Sequence, residues 1–312
     1  LYKKIINFVY NVFGNKKLKV SFKDFKIKKL GIKGKRINDI KTLNKYSKKF
    51  DVLIAGSDQI WNFSEQYGID ETYFLNFGIE PGGDICKIEA KTVPDHDVLC
   101  AGFPCVSFSA IGKKEGFESN SGKLFFEILR VIDAKCPKII VLENVMGLLS
   151  HSDGKTFERI RHELITRGYD VSYKILKSSD YGIPQMRRRL FIVASKQGEY
   201  NLKGIFNLQD YKQDNSLTNF FKDKIFEKKF AYTIRSGGYY SKIDDRHNWS
   251  NYRLKDKSVY RLTVEDCLKL QGFGDNFQVF GSKCNQLKQI GNTIPVNLTR
   301  MIGNQLKTLI LS

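Results

Sequence analysis

From Asp97 onward the chain alternates short apolar runs with longer amphipathic stretches, and this alternation constrains the fold more than any other feature. HDVLCAG reads as a strand, Gly122 to Ala134 as a helix and KIIVLENV as a strand. Phe157 to Thr166 reads as a second helix and YDVSYKIL as a third strand. Strands separated by helices pair in parallel, so the pattern predicts an α/β fold with a doubly wound sheet. RLFIVAS follows YDVSYKIL with no helix between them, a connection that suits an antiparallel pair. That pairing would bring Arg187 and Arg189 to the sheet edge where the earlier strands end. Residues 197–258 lose the periodicity and fill with Lys, Asp, Asn, Tyr and Gly, which predicts a small irregular lobe or a long insertion. LTVEDCLKLQGF and QIGNTIPVNLTRMIGNQL look helical, the second opened by a Gly-Asn turn and Pro295.

Across 312 residues, 52 Lys and Arg face 33 Asp and Glu, a formal charge of +19. An excess of that size points to a polyanionic partner. Nucleic acid is the first candidate, although a membrane surface or a lysine-rich proteome would give the same sign. Six cysteines, at 86, 100, 105, 136, 267 and 284, form no C-x-x-C pair. That spacing argues against a zinc site or a disulfide scaffold and for reduced thiols in a cytoplasm. IINFVYNVF is too short to span a bilayer and no cleavage site follows it, so no membrane association is expected. The chain opens on Leu1, and an upstream stretch is expected to be missing.

Ligands of open parallel sheets bind outside the carboxyl ends of the strands. Cys105 stands just past VLCAG, and Glu143 stands at the end of IIVLEN. A thiol, a carboxyl and the two arginines in one crevice would make a site of nucleophilic attack. Taken singly, a cysteine of this kind is more often a small buried hydrophobe, and a glutamate more often a cap or half of an ion pair.

GFPCVSFS, LENVMGLL, YGIPQMRRRLFIVA, RLTVEDCLKLQGF and QIGNTIP resemble, in this order, the motif set of the bacterial cytosine-5 DNA methyltransferases. The similarity covers about residues 79–312. It implies a doubly wound, Rossmann-like methyltransferase sheet with a small irregular target recognition lobe. It also implies methyl transfer from S-adenosylmethionine to cytosine in double-stranded DNA, within a restriction-modification system, by a monomer that needs no metal. Cys105 would add to carbon 6 of cytosine. Glu143 would hold the proton of ring nitrogen 3, and Arg187 and Arg189 would contact the base carbonyl. The target base would have to leave the stack to reach them. The resemblance assigns cofactor contacts to Asp84, Ile85, Gly102, Pro104, Leu124, Asn292 and Thr293. Within a target recognition region at 197–258, Arg235, Arg246, Asn248 and Arg253 would meet DNA, beside Tyr239 and Tyr240. Residues 79–196 would be the catalytic domain and 259–312 its C-terminal part.

Two features depart from that family. Val106 stands where glutamine usually fills the gap left by the extruded base, so base flipping is expected to suffer. No Phe-x-Gly-x-Gly loop for the cofactor occurs in residues 1–96. There FDVLIAGSDQIWN and ETYFLNFG resemble the N-terminal part of the polysaccharide pyruvyl transferase family, over about residues 1–78. The sheet should then lack its first strand–loop–helix units unless residues 51–56 fill one vacant position. Methyl transfer by this chain should accordingly be feeble or absent. The competing readings are a catalytically dead DNA-binding remnant and a polysaccharide pyruvyl transferase fragment.

Overall fold

The computed structural model describes residues 52–54, 85–93, 95–103, 120–208, 213–274, 277, 279 and 281–311. The chain divides into two compact units, residues 1–172 with 191–202, and residues 173–190 with 203–312.

The first unit carries the predicted alternation. Strand β1 spans Val52–Ile54 and β2 spans Val98–Gly102. Helix α1 (Asn120–Lys135), β3 (Ile139–Asn144) and helix α2 (Lys155–Ile165) follow. β4 (Tyr169–Lys177) and β5 (Arg188–Lys196) complete a five-stranded sheet of order β1-β2-β3-β5-β4, and the division between the units runs through these last two strands. β2 lies parallel to β3, from Val98 opposite Ile139 to Gly102 opposite Glu143. β1 lies parallel to β2, with Val52 opposite Val98 and Ile54 opposite Cys100. The sheet position beside β2 that the sequence reading left vacant is therefore filled, by residues within the 51–56 segment.

Burial explains the strand order. All six residues of β3 are buried and Leu190 to Ser195 of β5 are buried, as befits strands covered on both faces. β4 mixes exposed and covered residues, as an edge strand does. Ser178 N donates to Arg187 O at one end of the β4–β5 pair, and Gln197 N donates to Gly168 O at the other. The end of each strand thus meets the start of its neighbour, the antiparallel pairing expected from the missing helix.

α1 buries Phe125, Ile128, Leu129 and Ile132, one stripe at helical spacing. Its Arg130 reaches back over a 3₁₀ turn at Ile85–Lys87, with Nη2 to Ile85 O at 2.6 Å and Nη1 to Ile88 O at 2.7 Å. Arg167, just past α2, ties α2 to α1 by donating to Asp133 and to Glu163.

The second unit contains α3 (Leu217–Phe221), the antiparallel pair β6 (Asn251–Arg253) and β7 (Val259–Arg261), and α4 (Val264–Leu270). α5 (Lys283–Asn292) and α6 (Val296–Leu311) close the chain. Its core joins Leu217, Phe226, Trp249 and Tyr252 to Leu270 and Ile290. Residues 203–258 and 259–312 thus share one core, where the sequence reading drew a boundary at 258. The reason is that an irregular segment buries its few large side chains against helices that follow later. The Gly-Asn pair ends α5 rather than opening a helix, and Pro295 precedes α6.

Candidate functional site

In the first unit the carboxyl ends of β2 and β3 lie side by side. The pleat places Glu143 opposite Gly102 in register, and Glu143 is only 9% exposed. The next residue fixes the strand ends together. Asn144 Nδ2 donates to Phe103 O at 3.2 Å, and Asn144 Oδ1 accepts from Val145 N at 2.9 Å. Cys105 follows Gly102 by three residues in the sequence. Cys105, with Asp84, Pro104 and Val106, lies outside the described residues.

Two of the other thiols are poor nucleophiles. Burial pushes the Cys100 thiol up to about 12, and burial together with the Asp266 charge holds Cys267 well above the ordinary thiol range. Both are protonated at neutral pH and so unreactive.

Ile85, Gly102 and Leu124 are each partly exposed, while Leu99, Ala101, Phe103 and Phe125 around them are buried. Phe103 and Phe125 pack at 5.3 Å between ring centroids, which brings the end of β2 against α1 beside Leu124. Arg130 holds the Ile85 turn on the same helix.

In the second unit the structure corrects the reading of Arg187. Its side chain is 1% exposed, with Nη1 donating to Ile234 O at 2.8 Å and Nη2 to Gly291 O at 3.0 Å and Thr293 O at 2.7 Å. A guanidinium committed to three backbone carbonyls is a clamp, not a hand held out to a base. Arg189 is more open, and its Nη1 donates to Arg188 O. Thr293 is likewise used inside the protein, its hydroxyl donating to Ile290 O at 2.7 Å and accepting from Gln271 at 3.0 Å. Asn292 is partly exposed at the end of α5.

Two glutamines that the sequence reading passed over complete this network. Gln185 is fully buried, donates to Leu270 O at 2.6 Å and accepts from Ile234 N at 3.3 Å. Gln271, also fully buried, donates to Ile290 O at 2.8 Å. A polar side chain inside YGIPQM and KLQGF was the available signal, because buried amides need partners. Gly291 lets α5 reach the 235–236 backbone. A Cβ there would lie 2.4 Å from the Arg235 carbonyl carbon and 2.6 Å from Ser236 N.

Of the four described residues expected to meet DNA, Asn248 is committed internally. Its Nδ2 donates to Ile243 O and Asn251 O, and its Oδ1 accepts from Ser250 N and Asn251 N, an arrangement that shapes a turn. Tyr239 is buried, with its hydroxyl on Leu262 O at 2.8 Å. Arg246 is exposed against the His247 ring. Arg253 is exposed and pairs with Asp244 at 3.1 Å, and Arg235 donates to His247 O. These three keep cationic groups at the surface. Among the described residues no group of His, Cys, Asp and Glu could hold a metal ion, and no helix is long and apolar enough to cross a membrane.

Comparison with known proteins gives one consistent answer. The family described as C-5 cytosine-specific DNA methylase matches residues 54–235 and 211–308, beginning inside β1. Type II methyltransferase M1.ScrFI of Lactococcus lactis subsp. cremoris is 33% identical over 271 residues, covering 76% of this chain and 68% of its own length. Type II methyltransferase M.DsaV of Dactylococcopsis salina is 34% identical over 268 residues, 75% of each chain. Type II methyltransferase M.HhaI of Haemophilus parahaemolyticus is 30% identical over 290 residues, covering 80% of this chain and 87% of its own. The crystal structure of the S. pombe Dnmt2 methyltransferase superposes with a TM-score of 0.57 at 18% identity, over 83% of this chain and 90% of that one. At that identity the likeness shows the mixed α/β fold alone.

Proposed function

Since the chain belongs to the family of C-5 cytosine-specific DNA methylases, we infer that it methylates cytosine in duplex DNA through a covalent adduct to Cys105. The observation that carries this reading is the register of β2 and β3. It sets the buried Glu143 opposite Gly102, on the strand end that the chain leaves three residues before Cys105.

Cytosine is unreactive at carbon 5, and the chain's groups answer that difficulty. The Cys105 thiolate forms a bond to carbon 6, and the ring electrons move towards carbon 5. Glu143 keeps a proton at ring nitrogen 3, where the displaced charge would otherwise collect. A carboxyl held in place at ring nitrogen 3 suits that task. Arg189 meets the base carbonyl, and Arg187 acts through the backbone it clamps. Bound S-adenosylmethionine supplies an electrophilic methyl group for carbon 5. Solvent water takes the carbon 5 proton, the electrons of that bond re-form the 5,6 double bond, and the carbon 6–sulfur bond breaks to release the Cys105 thiolate. The target base reaches these groups by leaving the duplex stack. Ile85, Gly102 and Leu124 would hold the adenine side of the cofactor, and Asn292 would contact it from α5.

The Type II names of the relatives support a place in a restriction-modification system. Arg235, Arg246 and Arg253 form the cationic part of the recognition region. For residues 1–78 we retain the likeness to polysaccharide pyruvyl transferases only in FDVLIAGSDQIWN and ETYFLNFG, with no pyruvyl transfer assigned. β1 supplies the strand beside β2, and a single glycine, Gly56, stands where the family's paired-glycine loop would follow. Turnover should therefore be slow. Tritiated methyl incorporation into mixed-sequence duplex DNA tests the assignment. Glu143→Gln should lower that rate by about 10²-fold or more, the usual worth of a placed acid or base. Incorporation at the native rate would remove Glu143 from the mechanism.

A further inference from the structure

We propose that Tyr240 is a base-stacking residue, its ring mounted on Tyr239 and flanked by Arg261 so as to take the face of an unpaired nucleobase in duplex DNA. The proposal rests on the DNA-methylating reading above and names a contact within it. Tyr240 is 66% exposed, the most exposed large hydrophobic side chain among the described residues. Exposure alone would mean little, since single surface aromatics are ordinary. Its mounting is what singles it out.

The ring stands edge-on to Tyr239, 4.9 Å between centroids at 89°. Tyr239 is itself buried, anchored by its hydroxyl on Leu262 O and packed on Trp249 at 5.7 Å. The backbone is held on both sides of Tyr240. Ser250 Oγ donates to Tyr239 O at 2.6 Å, and Asn251 Nδ2 donates to Ser241 O at 2.8 Å. The Arg261 guanidinium carbon lies 5.8 Å from both tyrosine rings, while its Nε donates to Asn251 Oδ1 at 2.9 Å. An aromatic face presented on a fixed support loses little conformational entropy when something stacks on it.

The surroundings select the ligand. Residues 235–261 hold seven Lys and Arg against three Asp. A phosphate or carboxylate alone would use the cations and gain nothing from a fixed ring. An aliphatic partner would use the ring and gain nothing from the cations. A nucleobase on its phosphate backbone uses both. Base extrusion, which the reaction requires, unstacks the duplex and exposes base faces that a paired duplex hides.

The test compares the whole chain with Tyr240→Phe, Tyr240→Leu and Tyr240→Ala by fluorescence anisotropy. One probe is a short mixed-sequence duplex carrying 2-aminopurine opposite an abasic position, and the other is the same duplex fully paired. The native chain should prefer the unpaired probe and quench its 2-aminopurine. Tyr240→Phe should keep both properties, whereas Tyr240→Leu and Tyr240→Ala should bind that probe about tenfold more weakly, the scale of one base–aromatic stack. The salt dependence should stay the same in all four, because phosphate contacts are untouched. Retained preference and quenching in Tyr240→Ala would overturn the proposal. Salt-dependent binding by the native chain with no preference for the unpaired probe would overturn it and leave the methyltransferase reading standing. Binding to neither probe would overturn both.

Discussion

Arg187 and Arg189 stand two residues apart in YGIPQMRRRLFIVA, and the chain treats them differently. A strand alternates its side chains, but alternation alone would give both the same face. Burial separates them, because Arg187 is covered and bonded to Ile234, Gly291 and Thr293 carbonyls while Arg189 stays more open. Replacing Arg187 by Met would take the Arg187 donors from the buried Ile234 and Gly291 carbonyls, while Thr293 O keeps Gln271 Nε2, and should cost about 2 kcal/mol or more in urea unfolding, at roughly 1–3 kcal/mol for each group left unmade. Arg189→Met, at a half-buried position, should cost distinctly less stability than Arg187→Met. Methyl transfer should nonetheless fall in Arg189→Met. Equal stability losses in the two variants would contradict the division of labour. Motif spacing marks both arginines as important, but it carries no information on which carbonyls lie around each. The same limit applies to Asn248, whose residue type suggests base reading and whose side chain bonds to Ile243, Ser250 and Asn251 around its own turn.

At the scale of elements, α5 and the segment at 235–236 approach so closely that only glycine fits at 291. Gly291→Ala would press a methyl into backbone atoms that cannot yield, and should destabilise by roughly 1–3 kcal/mol, as overpacking does. Calorimetry would show a lowered melting temperature, and an unchanged one would mean that the approach is looser than described. α1 and α2 are joined instead by charge. The hydrogen bond from Arg167 holds the Glu163 carboxyl below its ordinary range, with Arg159 adding to it against the cost of partial burial. A carboxyl depressed on folding stabilises the native state above its unfolded pKa, and that contribution is lost as pH falls through the lower folded value. Glu163→Gln should therefore cost on the order of 1 kcal/mol at neutral pH and progressively less on acidification below the ordinary carboxylate range. A difference that persisted unchanged in acid would sink this assignment.

The elements with strong periodicity were legible in the sequence: α1, α2, β2, β3 and the β4–β5 pair match their expected spans closely. The small elements of the second unit were not. α3 has only five residues, and β6 and β7 have three each, too short for any period to register. α5 was hidden because KCNQLKQIGN is largely polar, and only Leu287, Gln289, Ile290 and Gly291 are buried.

For the molecule as a whole, ordered motifs told more than composition. The +19 charge pointed to a polyanion without saying what is done to it. The five motifs implied a reaction, and the family match covers most of the chain, from Ile54 to residue 308. Residues 51–56 stood in the sequence as one way to fill a vacant sheet position, and the backbone pairing of β1 with β2 puts them there. We propose that Cys105 attacks cytosine while Glu143, buried at the end of β3, holds the proton of ring nitrogen 3. The most direct measurement is covalent trapping on duplex DNA containing 5-fluorocytosine in the presence of S-adenosylmethionine, where fluorine blocks loss of the carbon 5 proton. A protein–DNA adduct should form slowly, resist denaturing electrophoresis and disappear in Cys105→Ser. An adduct that survives Cys105→Ser would contradict it.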